Sequence, residues 1–174
     1  MTIPVFAAAV DVHHQEDISQ EQEKVTQETT AYYCQHQEIG IEFLCDPDWI
    51  MEEHENGATF ILISSEPEVS LTLIKEDSAV ITLKDLTTEV LQEMGQYQEG
   101  FVVEEVRIAG HNALNVEALS LADDDIRLSD FYVTRDGVLY SLLFSVRSKE
   151  HFNEFVPVIF NIVNSVQFLD EVKP

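Results

Sequence analysis

Four aspartates offer the most explicit chemistry in this chain. Asp123, Asp124 and Asp125 run consecutively and Asp130 follows five residues on, so hard carboxylate oxygens are concentrated as a calcium ion requires. The run has no turn glycine and no carboxylate at the spacing of an EF-hand loop. Two readings follow: a calcium-binding loop, or a solvated acidic turn. Cys34 and Cys45 are the only cysteines, and they bracket the segment YYCQHQEIGIEFLC. A reverse turn at Ile39-Gly40 would oppose Glu38 to Ile41, His36 to Phe43 and Cys34 to Cys45. Opposed residues of an antiparallel pair stand about 4.5 to 5.5 Å apart, within disulfide range. Their spacing fits no common zinc pattern. Two unpaired thiols in a cytoplasmic protein are the alternative.

Imidazoles and hydroxyls make a weaker case. His13-His14 could hold a transition metal, but stands in a polar stretch with nothing to organise it. His111, between Gly110 and Asn112, reads as a turn residue before it reads as a general base. No GxSxG, HExxH or phosphate-cradling glycine loop occurs, so a hydrolase built on His111 and distant acids ranks behind a non-enzymatic role. No cofactor is expected beyond the calcium ion of the first reading.

Charge narrows the partners. Nine Lys and Arg against 33 Asp and Glu give a formal charge of -24. Such a surface repels nucleic acid and anionic lipid and suits a cationic partner, a metal ion or a salty medium, although acidity also serves solubility. No run of about 18 uncharged apolar residues is present, so no transmembrane helix is expected. Residues 1–30 read as a flexible polar and acidic tail, in which TIPVFAAA resembles the end of a signal peptide without its basic start. A weak helix over Ser19–Gln27 is the one element expected there. With the cysteine pair, this favours a periplasmic or secreted protein, monomeric or weakly dimeric.

The elements that must position these residues follow from hydrophobic period. Leu128 to Val146 reads as a hairpin about Asp136-Gly137, with Val133 opposite Tyr140, Phe131 opposite Leu142 and Ser129 opposite Phe144. One of its sides is apolar. The other mixes Asp130, Tyr132, Thr134, Ser141 and Ser145 with Leu128, Leu139 and Leu143. Ala58–Ile63, Val69–Ile74, Phe101–Ile108 and Ala113–Leu119 read as further strands, the last two joined by a turn over Ala109 to Asn112. Asp46-Pro47-Asp48 ends a strand and turns Trp49 toward the core.

Thr82 to Met94 has helical period, with Leu83, Leu86, Val90, Leu91 and Met94 on one stripe, a Thr82/Asp85 capping box and Gly95 at the C′ position. Ser148 to Phe168 carries a second stripe of Phe152, Phe155, Val156, Ile159, Val163 and Val166, which should cover the apolar side of the hairpin. Ser148 is the expected N-cap, Pro157 should kink or restart the helix, and Val166–Phe168 leaves it as a short strand. Residues 31–168 thus form one domain, and residues 169–174 are expected to fray.

This order of elements resembles the PsbP and Mog-like superfamily. The marks are Asp46-Pro47-Asp48-Trp49, Ile108-Ala109-Gly110-His111-Asn112-Ala113 and the closing Asn164-Ser165-Val166-Gln167-Phe168. The resemblance implies an α+β fold, an α/β/α sandwich with a central, mostly antiparallel sheet and helices on its faces. Its members include an extrinsic photosystem II subunit, a eukaryotic regulator of the Ran GTPase and small bacterial envelope lipoproteins. It therefore implies a binding or scaffold role with a protein partner or ligand, met through the mixed face of the sheet or a loop cleft. The shared marks are turn and packing residues, so no binding residue carries over.

Overall fold

The computed structural model describes residues 32–55, 57–62, 65–77, 82–97, 101–120, 123 and 125–169. The tail with its weak helix and His13-His14, Asp124 and the residues after Leu169 lie outside them.

Among the described residues, ten strands form two sheets. β1 (Tyr32–His36), β2 (Ile41–Cys45) and β10 (Gln167–Phe168) make a small sheet in the order β1-β2-β10. The larger sheet has seven strands: β3 (Trp49–His54), β4 (Gly57–Leu62), β5 (Val69–Asp77), β6 (Val102–Ile108), β7 (His111–Leu119), β8 (Arg127–Arg135) and β9 (Val138–Val146). Its order is β3-β4-β5-β9-β8-β7-β6, and every pairing is antiparallel. The β8–β9 hairpin forms in the expected register, with Val133 opposite Tyr140 and Phe131 opposite Leu142. Its turn explains why: Asp136 and Gly137 both take positive φ, 53° and 80°, as a two-residue type I′ turn demands.

Because side chains alternate, the large sheet has two unlike faces. The first is apolar and carries Leu71, Leu73, Phe131, Val133, Leu142 and Phe144, all 0% exposed. Over it lie the small sheet, through Ile41 and Phe43, and α2 (Phe152–Ser165), through Phe152, Ile159, Ile162 and Val163. Phe131 is gripped edge-on by Phe144 of the neighbouring strand and Phe160 of α2, at 5.8 and 5.7 Å between ring centroids. Ser165 fastens the end of α2 to β2: its Oγ donates to the Ile162 carbonyl at 2.6 Å and accepts from the Leu44 N–H at 2.8 Å.

The second face is covered in part by α1 (Leu83–Tyr97), whose Leu86 and Val90 pack on Leu114 and Val116 of β7. The result is the expected mostly antiparallel α+β sandwich, with a small sheet sharing the α2 layer. Among the described residues no helix is long and apolar enough to cross a membrane.

Several local expectations are corrected. The first hairpin closes through a longer loop, Gln37 to Gly40, and pairs His36 with Ile41 and Cys34 with Phe43. Ile39 lies in the core at 3% exposure, while its N–H donates to His36 Nδ1 and that of Gly40 to the His36 carbonyl. Burial of Ile39 thus draws the turn inward and shifts the register by two residues. The β6–β7 turn is only Ala109-Gly110, with φ of 48° and 85°, and His111 and Asn112 belong to β7. Trp49 opens β3, an edge strand whose IMEEH residues are exposed, so it lacks the alternation that marks a half-buried strand.

The helices also depart from expectation. α1 continues past Gly95 to Tyr97, since a glycine inside a helix costs only about 1 kcal/mol and does not compel an end. Leu91 is 45% exposed, because five residues from Leu86 it is turned well away from the buried stripe. The Thr82 cap forms, with its Oγ accepting from the Asp85 N–H at 3.2 Å and donating to Asp85 Oδ2. In α2 the N-cap is His151, and Ser148 Oγ instead meets the His151 ring and N–H across the preceding turn. α2 runs unbroken through Pro157. The proline is exposed, so the carbonyl it leaves unpaired on Asn153 can turn to water.

Candidate functional site

The mixed side of the β8–β9 hairpin becomes the floor of a cleft. Alternation places Asp130 and Tyr132 of β8 beside Leu139, Ser141 and Leu143 of β9, with Asp130 opposite Leu143 and Tyr132 opposite Ser141. β5 extends the floor with Ile74, paired to Ser141, and Glu76, paired to Leu139. α1 leans over β7, and its Leu86 and Val90 form the remaining wall. Between helix and sheet is a cavity of about 270 Å³ lined by these nine residues.

Its base is polar. Ser141 Oγ donates to Asp130 Oδ1 at 2.7 Å, and each residue is only 9% exposed. Beyond the cleft the same face continues across the β3–β5 side. There His54 Nε2 meets Thr59 Oγ1 at 2.8 Å, and Thr59 Oγ1 meets Thr72 Oγ1 at 3.0 Å.

A carboxylate hydrogen-bonded to a serine hydroxyl among aliphatic walls is equipped to hold a ligand. Side-chain alternation suffices to place Asp130 and Ser141 on the mixed face, whereas the cavity depends on where α1 crosses the sheet.

Asp123, Asp125 and His111 lie outside the cleft lining. Asp123 and Asp125 lie exposed in the loop before β8, where Asp123 Oδ1 accepts the Asp125 N–H at 3.1 Å. Asp130 stands inside β8 and lines the cleft. Among the described residues no three His, Cys, Asp or Glu side chains group as metal ligands. His111 packs edge-on against Phe168 at 5.5 Å, in a cluster where Arg135 lies 5.1 Å over the same ring and Tyr140 adjoins at 4.9 Å. Its role there is to seat β10.

Cys34 and Cys45 are joined by a disulfide across β1 and β2, with Cα atoms 5.7 Å apart. They are diagonal and not directly opposed, since Cys45 faces Tyr32. Strand twist brings one diagonal of a two-stranded ladder close, so the bridge survives the shift in register.

No family model and no curated protein matches the chain. Solved structures do. The PsbP protein of the cyanobacterium Synechocystis superposes with a TM-score of 0.60 at 16% identity, over 79% of this chain and 92% of that one. A Pseudomonas aeruginosa protein of unknown function gives 0.51 at 15% identity, over 75% and 91%. LpqN, involved in cell envelope biogenesis of Mycobacterium tuberculosis, gives 0.49 at 12%, over 83% and 88%. The chain has a PsbP-like fold, as its turn and packing marks implied.

Proposed function

We propose that this domain is a non-enzymatic binding module of an oxidising, extracytoplasmic compartment, and that it receives a ligand or part of a protein partner in the cleft between α1 and the mixed face. The observation that carries the reading is the cleft with the buried Asp130–Ser141 pair at its base. Binding sites typically combine apolar walls with a few placed polar groups, and this lining has that composition. The disulfide supports the compartment, since such bonds persist where thiols are not kept reduced. The PsbP-like fold is compatible with such a role, although fold alone does not assign function.

A fragment screen followed by NMR tests the reading. Bound fragments should perturb Leu86, Leu139 and Leu143 together, and Leu139→Trp, which fills the cavity, should abolish those shifts. Perturbations that gather elsewhere and persist in Leu139→Trp would refute the assignment of the site.

A further inference from the structure

We infer that the β3 edge of the large sheet accepts an extended, cationic segment of a protein partner as a further strand. Among the described residues β3 pairs with β4 alone and ends the seven-stranded order. The alternation of an antiparallel ladder turns the N–H and C=O groups of every second β3 residue away from β4, and an edge of that kind is a template for another strand. β3 has six residues, enough for a ladder, and every one from Ile50 to His54 is exposed. Both faces are thus open to the side chains of an incoming chain.

The side chains specify that chain. Register with β4 puts Ile50 opposite Ile61 and Glu52 opposite Thr59 on one face, and Met51 opposite Phe60 and Glu53 opposite Ala58 on the other. Each face of β3 therefore presents one apolar residue, Ile50 at 44% or Met51 at 45% exposure, followed by one glutamate. Cross-strand neighbours favour apolar against apolar and charge against opposite charge. An antiparallel partner must then carry two adjacent cations followed by two adjacent apolar residues, as in Lys-Lys-Val-Val. Every other pairing in this sheet is antiparallel, and that orientation is slightly the more stable per residue.

Charge also decides against a second copy. The opposite edge, β6, carries the exposed pair Glu104-Glu105, so edge-to-edge contact between copies sets acidic edge against acidic edge in a chain of formal charge -24. Charged side chains on an edge discourage indiscriminate pairing, but they attract a strand of opposite charge. β3 suits a cationic strand better than β6, where Arg107 adds a cation and Val103 and Val106 are half-buried.

The full chain, labelled for NMR, is titrated at low ionic strength with blocked peptides built around Lys-Lys-Val-Val, Val-Val-Lys-Lys or Glu-Glu-Val-Val. The first should shift the amides of Ile50 to His54 and slow their exchange, and the other two should bind about fivefold or more weakly. Replacing the exposed pair together, Glu52→Gln with Glu53→Gln, should weaken the first peptide by a similar factor, whereas Glu104→Gln with Glu105→Gln should leave its affinity unchanged. Methylating the backbone nitrogens of both valines keeps the charge of the peptide and removes whichever of the two donors faces β3. That peptide should not bind.

Equal or tighter binding of either control peptide would overturn the inference, as would shifts that gather outside β3 or silence with the Lys-Lys-Val-Val peptide. Undiminished binding of the methylated peptide would overturn it by reducing the contact to charge attraction without a ladder. The described lining of the cleft contains no β3 residue, so these outcomes are separate from those of the fragment screen.

Discussion

Reducing the Cys34–Cys45 bridge should weaken the domain in a spatially restricted way. The two residues are separated by 11 positions, and the loop-closure entropy for a ring of that size corresponds to about 2.8 kcal/mol at 25 °C. For a domain of this length each kcal/mol moves the melting temperature by roughly 3 to 5 °C, so reductant should lower it by about 10 °C in scanning calorimetry. Cys34→Ser combined with Cys45→Ser should do the same without reductant. Position in the fold sets where the loss appears. β1 is an edge strand with Tyr32 and Tyr33 50% and 55% exposed, whereas Ile41 and Phe43 of β2 are 0% exposed. Hydrogen exchange should therefore rise first and most at the β1 amides, with β5, β8 and β9 protected until global unfolding. A shift below about 3 °C would show that the bridge constrains little. Equal deprotection of the seven-stranded sheet would refute the placement of β1 at the periphery.

Three further outcomes test the layers. In Gly57→Ala the new Cβ would stand 2.1 Å from the Leu73 carbonyl oxygen, so β4 and β5 must part; a loss of about 2 kcal/mol or more is expected in urea denaturation, and an unchanged midpoint would contradict the pairing. Pro157→Ala should stabilise α2 by about 2 kcal/mol, the regained helix bond offset by a freer unfolded chain, and a loss of stability would mean that the exposed proline makes contacts worth more. A double-mutant cycle of Phe131→Leu and Phe160→Leu should return a coupling of about 0.5 to 1.5 kcal/mol; additivity within error would deny that α2 is held to the hairpin through that ring pair.

Much of the fold was legible because its signals are local. The Asp136-Gly137 turn sets the register of β8 and β9 through its positive φ angles, and the whole of both faces follows from it. The α2 stripe is legible as the cover of the apolar face, and the structure adds Ile162 to it as a core residue. Elsewhere the local signals are thin. Ala109 occupies a left-handed position that alanine does not advertise, so the sequence does not mark the turn as two residues long. β3 carries no alternation because an edge strand buries little. The fate of Ile39 depended on a core assembled from distant strands and α2.

Sequence by itself determined the two unlike faces of the hairpin, the amphipathic helices and the presence of Asp130 and Ser141 on the mixed side, because side-chain period and turn stereochemistry act within a few residues. Only the tertiary structure decided that Asp130 bonds Ser141, that Cys34 meets Cys45 on a diagonal, and that α1 leaves a cavity beside Asp130. Those outcomes depend on how separate elements settle against one another. That settling is governed by burial and shape summed over residues far apart in the chain.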